Sequence, residues 1–271
     1  MNDNIERRLW SITARGLSEF VGDLSHQGIW SSSVRTLQKT FREREIYPAR
    51  DFAHRCQPVP PDAFLTYHST QNFVDIQEIV WKACDFSARL LRERRPDLDE
   101  ANLGTMIADG ITFWVDFIFI DQTARDIRRE LDVLPTLLTA TKAHFVLGAQ
   151  PLTRSWCCYE IALFNQSCAA DKADRVPLRS FIAPTTSIYF GWGDTETSET
   201  EDKAFIEERI TSRFPNGFEG FDHVMQQANG TAVLSATEIN PSYPPAALDS
   251  LASAAEYWFE RGNPDYGRDR R

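Results

Sequence analysis

The residues of this 271-residue chain best suited to chemistry lie in one short segment, Ser155-Trp-Cys-Cys-Tyr-Glu160. Trp156 and Glu160 are four residues apart, so on a helix their side chains share one face. Cys157 and Ile161 mark an adjoining apolar face. The chain has neither the CxxC spacing of zinc sites nor the glycine-rich loops GxxxxGK[ST] and GxGxxG. The candidate chemistry is therefore that of a carboxylate beside an aromatic ring, with no resident metal or cofactor expected.

The composition excludes several other classes of protein. The formal net charge of −10 disfavours nucleic acid as a partner, because nucleic-acid binding needs a basic surface. The five cysteines are an odd number at irregular spacing, which is unlike a secreted disulfide framework, so we expect reduced thiols. No stretch reaches the roughly 18 to 20 apolar residues that span a bilayer, and no apolar segment follows the N-terminus. These features predict a cytoplasmic protein without a membrane span.

Beyond residue 62, apolar runs alternate with helical patterns. The apolar, β-branched runs are Ala63 to Tyr67, Ile111 to Ile120, Ala143 to Gly148, Leu178 to Ile182 and Thr231 to Leu234. The helical patterns cover about 71–93, 124–141, 154–170 and 202–213. This alternation predicts an α/β fold, in which a flavodoxin-like, five-stranded parallel sheet carries helices on both faces.

The regions outside this alternation define three predicted units. Residues 1–57 form a helical N-terminal extension, because their apolar residues have helical spacing that breaks around Gly28. The proline-rich segment at 57–61 is predicted to be a linker, since proline removes backbone donors and restricts the preceding residue. The α/β domain covers 58–235, and a tail at 236–271 contains one predicted helix around Leu248 to Phe259.

The predicted sheet brings two loops together. With strand order 2-1-3-4-5, a crevice forms at the carboxyl ends of the first and third strands, where the chain leaves in opposite directions. The first loop is His68-Ser69-Thr70, after the strand that ends at Tyr67. The second leads from Leu147 into the helix of Trp156 and Glu160. A carboxylate and an aromatic ring are thus expected near the crevice.

Three motifs in this order resemble those of Toll/interleukin-1 receptor/resistance (TIR) domains. Phe64-Leu-Thr-Tyr67 resembles their first strand, Phe113-Trp-Val-Asp116 their second strand, and Ser155 to Ile161 their Ser-x-Trp-Cys-x-x-Glu-Leu helix. The resemblance covers roughly residues 62 to 182. The stretch Trp114 to Gln122 also resembles the Trp-Ile-Asp-x-x-Cys-Ile-Asn-Gln motif of fungal heterokaryon-incompatibility domains.

The resemblance implies that Glu160 matches the catalytic glutamate of TIR domains that cleave NAD between nicotinamide and ribose. NAD would then be the substrate, and no cofactor would be needed. Ordinary glycosidases use two carboxylates, one of which protonates a poor leaving group. The nicotinamide of NAD is already cationic at its glycosidic nitrogen and leaves as a neutral molecule. One carboxylate that stabilises the oxocarbenium-like sugar would therefore suffice.

Further candidates for substrate contact are the residues around this glutamate: Tyr67, His68, Ser69, Asp116 and Trp156. Each has an alternative role. Glu160 could be a solvated helix carboxylate, and Trp156 and Tyr67 could be packing residues. His68 could be an exposed loop residue, and Asp116 could cap the second strand instead of facing the site.

The implied biological role is that of a TIR-like effector in immune or cell-death signalling, which hydrolyses NAD to nicotinamide and ADP-ribose, or a cyclic form, on oligomerisation. The alternatives are a non-catalytic TIR-like self-association module and a nucleoside or nucleotide ribosyl-transferring enzyme. Self-association would run through the N-terminal helices or through the loop at 121–130. That loop carries charges of both signs and lacks the glycine common in TIR domains.

Overall fold

The computed structural model describes residues 7–29, 33–98, 102–124, 128, 131–147, 150–170, 176–181, 189–197, 200–229, 233–235 and 245–263. The strands within these ranges are β1 (Ser11–Thr13), β2 (Cys56–Gln57), β3 (Ala63–Tyr67), β4 (Thr112–Trp114), β5 (Ala143–Leu147), β6 (Val176–Phe181) and β7 (Val233–Ser235). They form one sheet in the order β2-β1-β4-β3-β5-β6-β7.

The α/β prediction is confirmed, but the sheet is mixed. From β4 to β7 all neighbouring strands are parallel, and β3 and β5 pair over their whole length from Ala63↔Ala143 to Tyr67↔Leu147. Numbered from β3, these five strands follow the order 2-1-3-4-5. Two antiparallel strands, β1 and β2, extend the sheet beyond β4. The prediction of an entirely parallel five-stranded sheet was therefore wrong.

The extra strands come from the N-terminal segment. Cys56 and Gln57 of β2 pair with β1 instead of forming a free linker, and the Ser11 hydroxyl donates a hydrogen bond of 2.9 Å to the Val59 carbonyl. Strands of two and three residues carry too little periodicity to be recognised before their partners are known. The division at residues 57 and 58 stays a prediction, although residues on both sides of it contribute to one sheet.

Eleven α-helices occur in the described ranges. They are α1 (Ala14–His26), α2 (Val34–Glu43), α3 (Pro48–Asp51), α4 (Phe73–Arg94), α5 (Leu103–Gly110), α6 (Asp116–Phe119), α7 (Leu134–Ala140), α8 (Ser155–Ala170), α9 (Thr200–Arg213), α10 (Phe218–Asn229) and α11 (Pro245–Gly262). The predicted helices at 71–93, 154–170 and 202–213, and the helix of the tail, agree with α4, α8, α9 and α11. Helices α5 and α10 were not predicted.

Two predicted elements differ from the structure. The apolar run at 111–120 contains only three strand residues before it turns into α6, whose Phe117, Ile118 and Phe119 are fully buried. A continuous apolar run does not distinguish a buried strand from a buried helix. Within the described part of the predicted helix at 124–141, α7 is preceded by a 3₁₀ turn at Leu131–Val133. Residues 125–127, 129 and 130 lie outside the described ranges.

The helices pack in two groups. Helices α4, α5 and α11 contact one another, with α1 against α4 and α5, while α8 contacts α7, α9 and α10. Because crossovers between parallel strands are almost always right-handed, we expect these groups to lie on opposite faces of the parallel strands. The first group meets at two glycines: a Cβ on Gly110 would lie 1.7 Å from the Trp258 carbonyl oxygen, and one on Gly262 would lie 1.8 Å from that of Met106.

Helix α2 is fixed against the first loop of the sheet. Its apolar side, formed by Val34, Leu37 and Phe41, is buried. The backbone N–H groups of Val34 and Arg35 donate hydrogen bonds of 3.1 and 2.7 Å to the carbonyls of Gln71 and Ser69, respectively. Because the first amides of a helix have no partner within it, these bonds satisfy donors that would otherwise need water. The N-terminal segment therefore reaches the carboxyl end of β3, in the middle of the sheet.

Candidate functional site

A cavity of about 420 Å³ opens at the carboxyl ends of β3 and β4. Its volume is within the range of small-molecule sites, and its lining combines residues that follow β3, β4 and β5. Its lining includes Leu65 and Tyr67 of β3, Ser69, Asp116 of α6, and Trp156, Cys157 and Glu160 of α8, with Arg35, Gln38, Lys39 and Arg42 of α2 on another side. The structure thus brings together five of the six predicted site residues.

Glu160 is held by the central strand of the sheet. The hydroxyl of Thr66 donates a hydrogen bond of 2.5 Å to Glu160 Oε2. The hydroxyl oxygen of Thr66, Oγ1, also lies 2.8 Å from His144 Nε2. A threonine hydroxyl has one proton, so when it donates that proton to Glu160 the His144 Nε2–H must donate to the hydroxyl. Burial raises the pKa of Glu160 to about 8, against the opposing effect of the Thr66 bond. The carboxyl group is therefore largely protonated at neutral pH.

Asp116 is the second carboxyl group of the cavity. It is the first residue of α6, and its Oδ1 accepts a hydrogen bond of 2.5 Å from the backbone N–H of Phe117. Burial raises its pKa to about 7, and its charge also contributes to the raised pKa of Glu160. Asp116 thus both begins a helical turn and faces the cavity. Perturbed carboxyl groups in a cleft are typical of functional sites.

Two aromatic residues contribute to the cavity wall. Tyr67, at the end of β3, is 8% exposed and packs edge-on against Phe117 at a centroid distance of 5.9 Å. Its buried hydroxyl has no hydrogen-bond partner among the residues described. Trp156 is half-buried, and its ring packs against that of Phe205 of α9 at a centroid distance of 5.9 Å. Both rings pack against protein while lining the cavity, so the packing and the ligand-facing interpretations are compatible.

The first loop contributes Ser69 to the lining, whereas His68 is not among the lining residues. The ring of His68 is buried, and its Nδ1 accepts hydrogen bonds from the backbone N–H and the hydroxyl of Thr70 at 3.2 and 2.6 Å. Burial, together with the charges of Arg154 and Arg35, lowers its pKa to about 4. A neutral, buried imidazole with these bonds holds the loop in shape.

The sequence analysis did not single out the basic residues of the cavity. Arg35, Gln38, Lys39 and Arg42 follow the spacing of one helix face, separate from the face of the apolar residues of α2. That periodicity was readable in the sequence, but a polar helix face is normally solvated. Its position beside the carboxyl groups depends on how α2 docks. Arg154, just before α8, also lines the cavity.

Comparison of the chain with family models, curated proteins and solved structures finds no match. The resemblance to TIR domains accordingly rests on the three sequence motifs. None of the helices in the described part of the chain combines the length and the apolar character that a membrane crossing requires.

Proposed function

We propose that this protein is a TIR-like enzyme that cleaves the N-glycosidic bond of NAD, with Glu160 as its catalytic carboxylate. The observation that carries the proposal is the placement of Glu160, Asp116, Trp156 and Tyr67 around one cavity. The resemblance assigns the catalytic role to Glu160, the other three were predicted as substrate contacts around it, and the four come from three separate parts of the chain. The 2-1-3-4-5 order of the parallel strands supports a flavodoxin-like scaffold of the TIR type.

The chemistry starts from the positive charge of the nicotinamide ring. As the bond between the ring nitrogen and ribose C1′ breaks, its electron pair neutralises the ring, and positive charge develops on the sugar. Ionised Glu160 beside the ribose stabilises that charge, and the buried surroundings strengthen the interaction. The bond from Thr66 holds the carboxylate in place. The cationic ring also favours the ionised form of Glu160 when NAD binds.

Asp116 supplies the base for the second half of the reaction. A water oxygen forms a bond to ribose C1′ and must lose a proton. The carboxylate of Asp116, with a pKa of about 7, accepts that proton near neutral pH. The products are neutral nicotinamide, ADP-ribose and protonated Asp116, which returns its proton to solvent. The two carboxyl groups therefore have different roles: Glu160 stabilises the positive charge on the sugar, and Asp116 accepts the proton of the attacking water.

The proposed effector role includes self-association through the N-terminal helices or the 121–130 loop. The part of this loop that the structure describes includes Arg128, which forms an ion pair of 3.3 Å with Glu201 at the start of α9. Residues 125–127, 129 and 130 lie outside the described ranges. An exposed pair of this kind contributes little to stability.

The test is nicotinamide release from NAD by concentrated protein. We expect release by the wild type and a loss of about 10²-fold or more in Glu160→Gln, the usual scale for removing a main electrostatic stabiliser. Glu208→Gln is the matched control, because Glu208 is an exposed helix glutamate outside the cavity lining. No release at any protein concentration would favour the non-catalytic module. Release that requires an added nucleoside acceptor would favour a ribosyl transferase.

A further inference from the structure

One wall of the cavity is basic, and it comes from the N-terminal segment. Arg35, Lys39 and Arg42 of α2 line the cavity together with Arg154. The carboxyl groups of Asp116 and Glu160 line another part of the same cavity. The site therefore combines carboxyl groups with cationic side chains, three of which come from the N-terminal segment and one, Arg154, from the segment just before α8.

The basic wall is held in position by the backbone and the packing of α2. Ser33 caps the helix through its side chain, and the first amides of the helix bond to the carbonyls of Ser69 and Gln71. At the other end, Arg42 Nε donates a hydrogen bond of 3.3 Å to the Gln122 carbonyl, which ties α2 to the loop after α6. Because α2 is already docked, its backbone does not need to be ordered when a ligand binds. The entropy cost of binding is therefore lower than for a flexible segment.

The charges on this wall act inside the site as well as at its rim. Arg35 and Arg154 both depress the pKa of His68 in the loop that follows β3. Lys39 forms an exposed pair with Glu43 at 3.6 Å. Asp202 also lines the cavity. Since Glu160 and Asp116 have raised pKa values, positive charge outweighs negative charge in the cavity near neutral pH.

We propose that Arg35, Lys39 and Arg42 of α2, together with Arg154, bind the pyrophosphate of a dinucleotide whose ribose lies against Glu160. The proposal rests on the proposed function for the identity of the ribose, but the phosphate-binding wall can be tested without catalysis. Guanidinium groups suit this role because they donate paired hydrogen bonds to phosphate oxygens. The N-terminal segment is then part of the substrate site, and removing residues 1–57 would remove the wall together with β1 and β2.

The experiment measures binding of ADP-ribose, inorganic pyrophosphate and adenosine to the full chain by calorimetry. For Arg35→Gln combined with Arg42→Gln, we expect the dissociation constants of ADP-ribose and pyrophosphate to rise about tenfold or more, the scale of losing charge-assisted bonds. Binding of adenosine should be unchanged. Arg44→Gln is the matched control, since Arg44 follows α2 but does not line the cavity.

Two further variants separate a direct role from damage to the helix. Lys39→Gln removes a charge that has no described bond to the rest of the fold beyond Glu43, and it should also weaken ADP-ribose binding. Arg35→Lys with Arg42→Lys keeps the charge and should restore part of the affinity. The affinity of the wild type should also fall as salt is raised. If the Gln variants bind ADP-ribose as tightly as the wild type, or if adenosine binding falls equally, the wall is not a phosphate site.

The outcomes for the wall and for catalysis are distinguishable. Cleavage of nicotinamide riboside, which has no phosphate, should be unaffected by the Gln variants, whereas the KM for NAD should rise. Wall-dependent binding of ADP-ribose without any nicotinamide release would support the wall and overturn the proposed hydrolase. Normal nicotinamide release, together with ADP-ribose binding that the Gln variants do not weaken, would support the hydrolase and overturn the phosphate-binding wall.

Discussion

The hydroxyl of Thr66 and the carboxyl group of Glu160 are joined by a hydrogen bond of 2.5 Å, which links the central strand of the sheet to α8. Thr66 lies one residue before the end of β3, and Glu160 lies on the second turn of α8. The bond opposes the effect of burial on the pKa of Glu160. Thr66 is thus a positioning residue for the proposed catalytic carboxylate.

Loss of this bond should shift the pH dependence of the reaction. In the wild type, kcat/KM for NAD should rise with pH, with an inflection near the pKa of Glu160 of about 8, because the free enzyme must ionise this group. Thr66→Val removes a bond that lowers the pKa, so the inflection should move to higher pH and part of the rate should return there. A pH–rate profile from pH 6 to 10 measures this. A Thr66→Val enzyme with an unshifted inflection and a uniformly lower rate would show that Thr66 acts only through packing.

The partly buried carboxyl group of Glu160 should also weaken the fold at alkaline pH. Its pKa is raised in the folded protein from an ordinary value of 4.5 to about 8, so between these values the folded state binds more protons than the unfolded state. The free energy of unfolding therefore falls as pH rises through this window. Glu160→Gln should match the wild-type Tm at pH 5 and exceed it by at least about 2 °C at pH 9. Thermal melts with Glu208→Gln as control test this, and equal melting curves at both pH values would contradict it.

Asp116 should be needed for water attack but not for bond cleavage. Asp116→Ala removes the proposed base, so hydrolysis should fall about 10²-fold. Azide is a nucleophile that has no proton to lose, so it should restore nicotinamide release in this variant and yield the ribosyl azide. The same addition should leave Glu160→Gln inactive, because that variant lacks the stabilising charge. Azide rescue of both variants, or of neither, would remove the distinction between the two roles.

The sequence predicted the elements whose patterns are long and locally complete. The buried run from Ala63 to Tyr67 and the helix from 155 to 170 were both recognisable, and with them the shared face of Trp156 and Glu160. Asp116 was left open between capping the second strand and facing the site; in the structure its side chain accepts a hydrogen bond from the backbone N–H of Phe117 and lines the cavity.

What could not be predicted depends on contacts distant in the chain. The strand β1 exists because β2 and β4 flank it, and its three residues carry no usable period. The basic face of α2 is periodic, but its role follows from the docking of that helix on the carbonyls of Ser69 and Gln71. His68 was predicted to contact substrate from its position in the loop. In the structure its ring is buried and bonded to Thr70, and His68 is not among the residues that line the cavity, so its contact with substrate stays a prediction.

The two glycines where α5 meets α11 allow the scaffold to be tested apart from the site. A Cβ on Gly110 would lie 1.7 Å from the Trp258 carbonyl oxygen, so Gly110→Ala must push the helices apart. We expect a loss of about 1 to 3 kcal/mol in the free energy of unfolding, the usual cost of overpacking. Gly22→Ala is the matched control: Gly22 is within α1, has nothing within 4 Å of an added Cβ, and should be neutral or stabilising by up to about 1 kcal/mol. Urea denaturation of both variants measures the difference.

This packing lies on the helix group that does not include α8. Below its lowered Tm, Gly110→Ala should therefore keep the wild-type KM for NAD. If it lost NAD cleavage while still folded, the α5–α11 contact would be coupled to the cavity, and the separation between scaffold and site would fail.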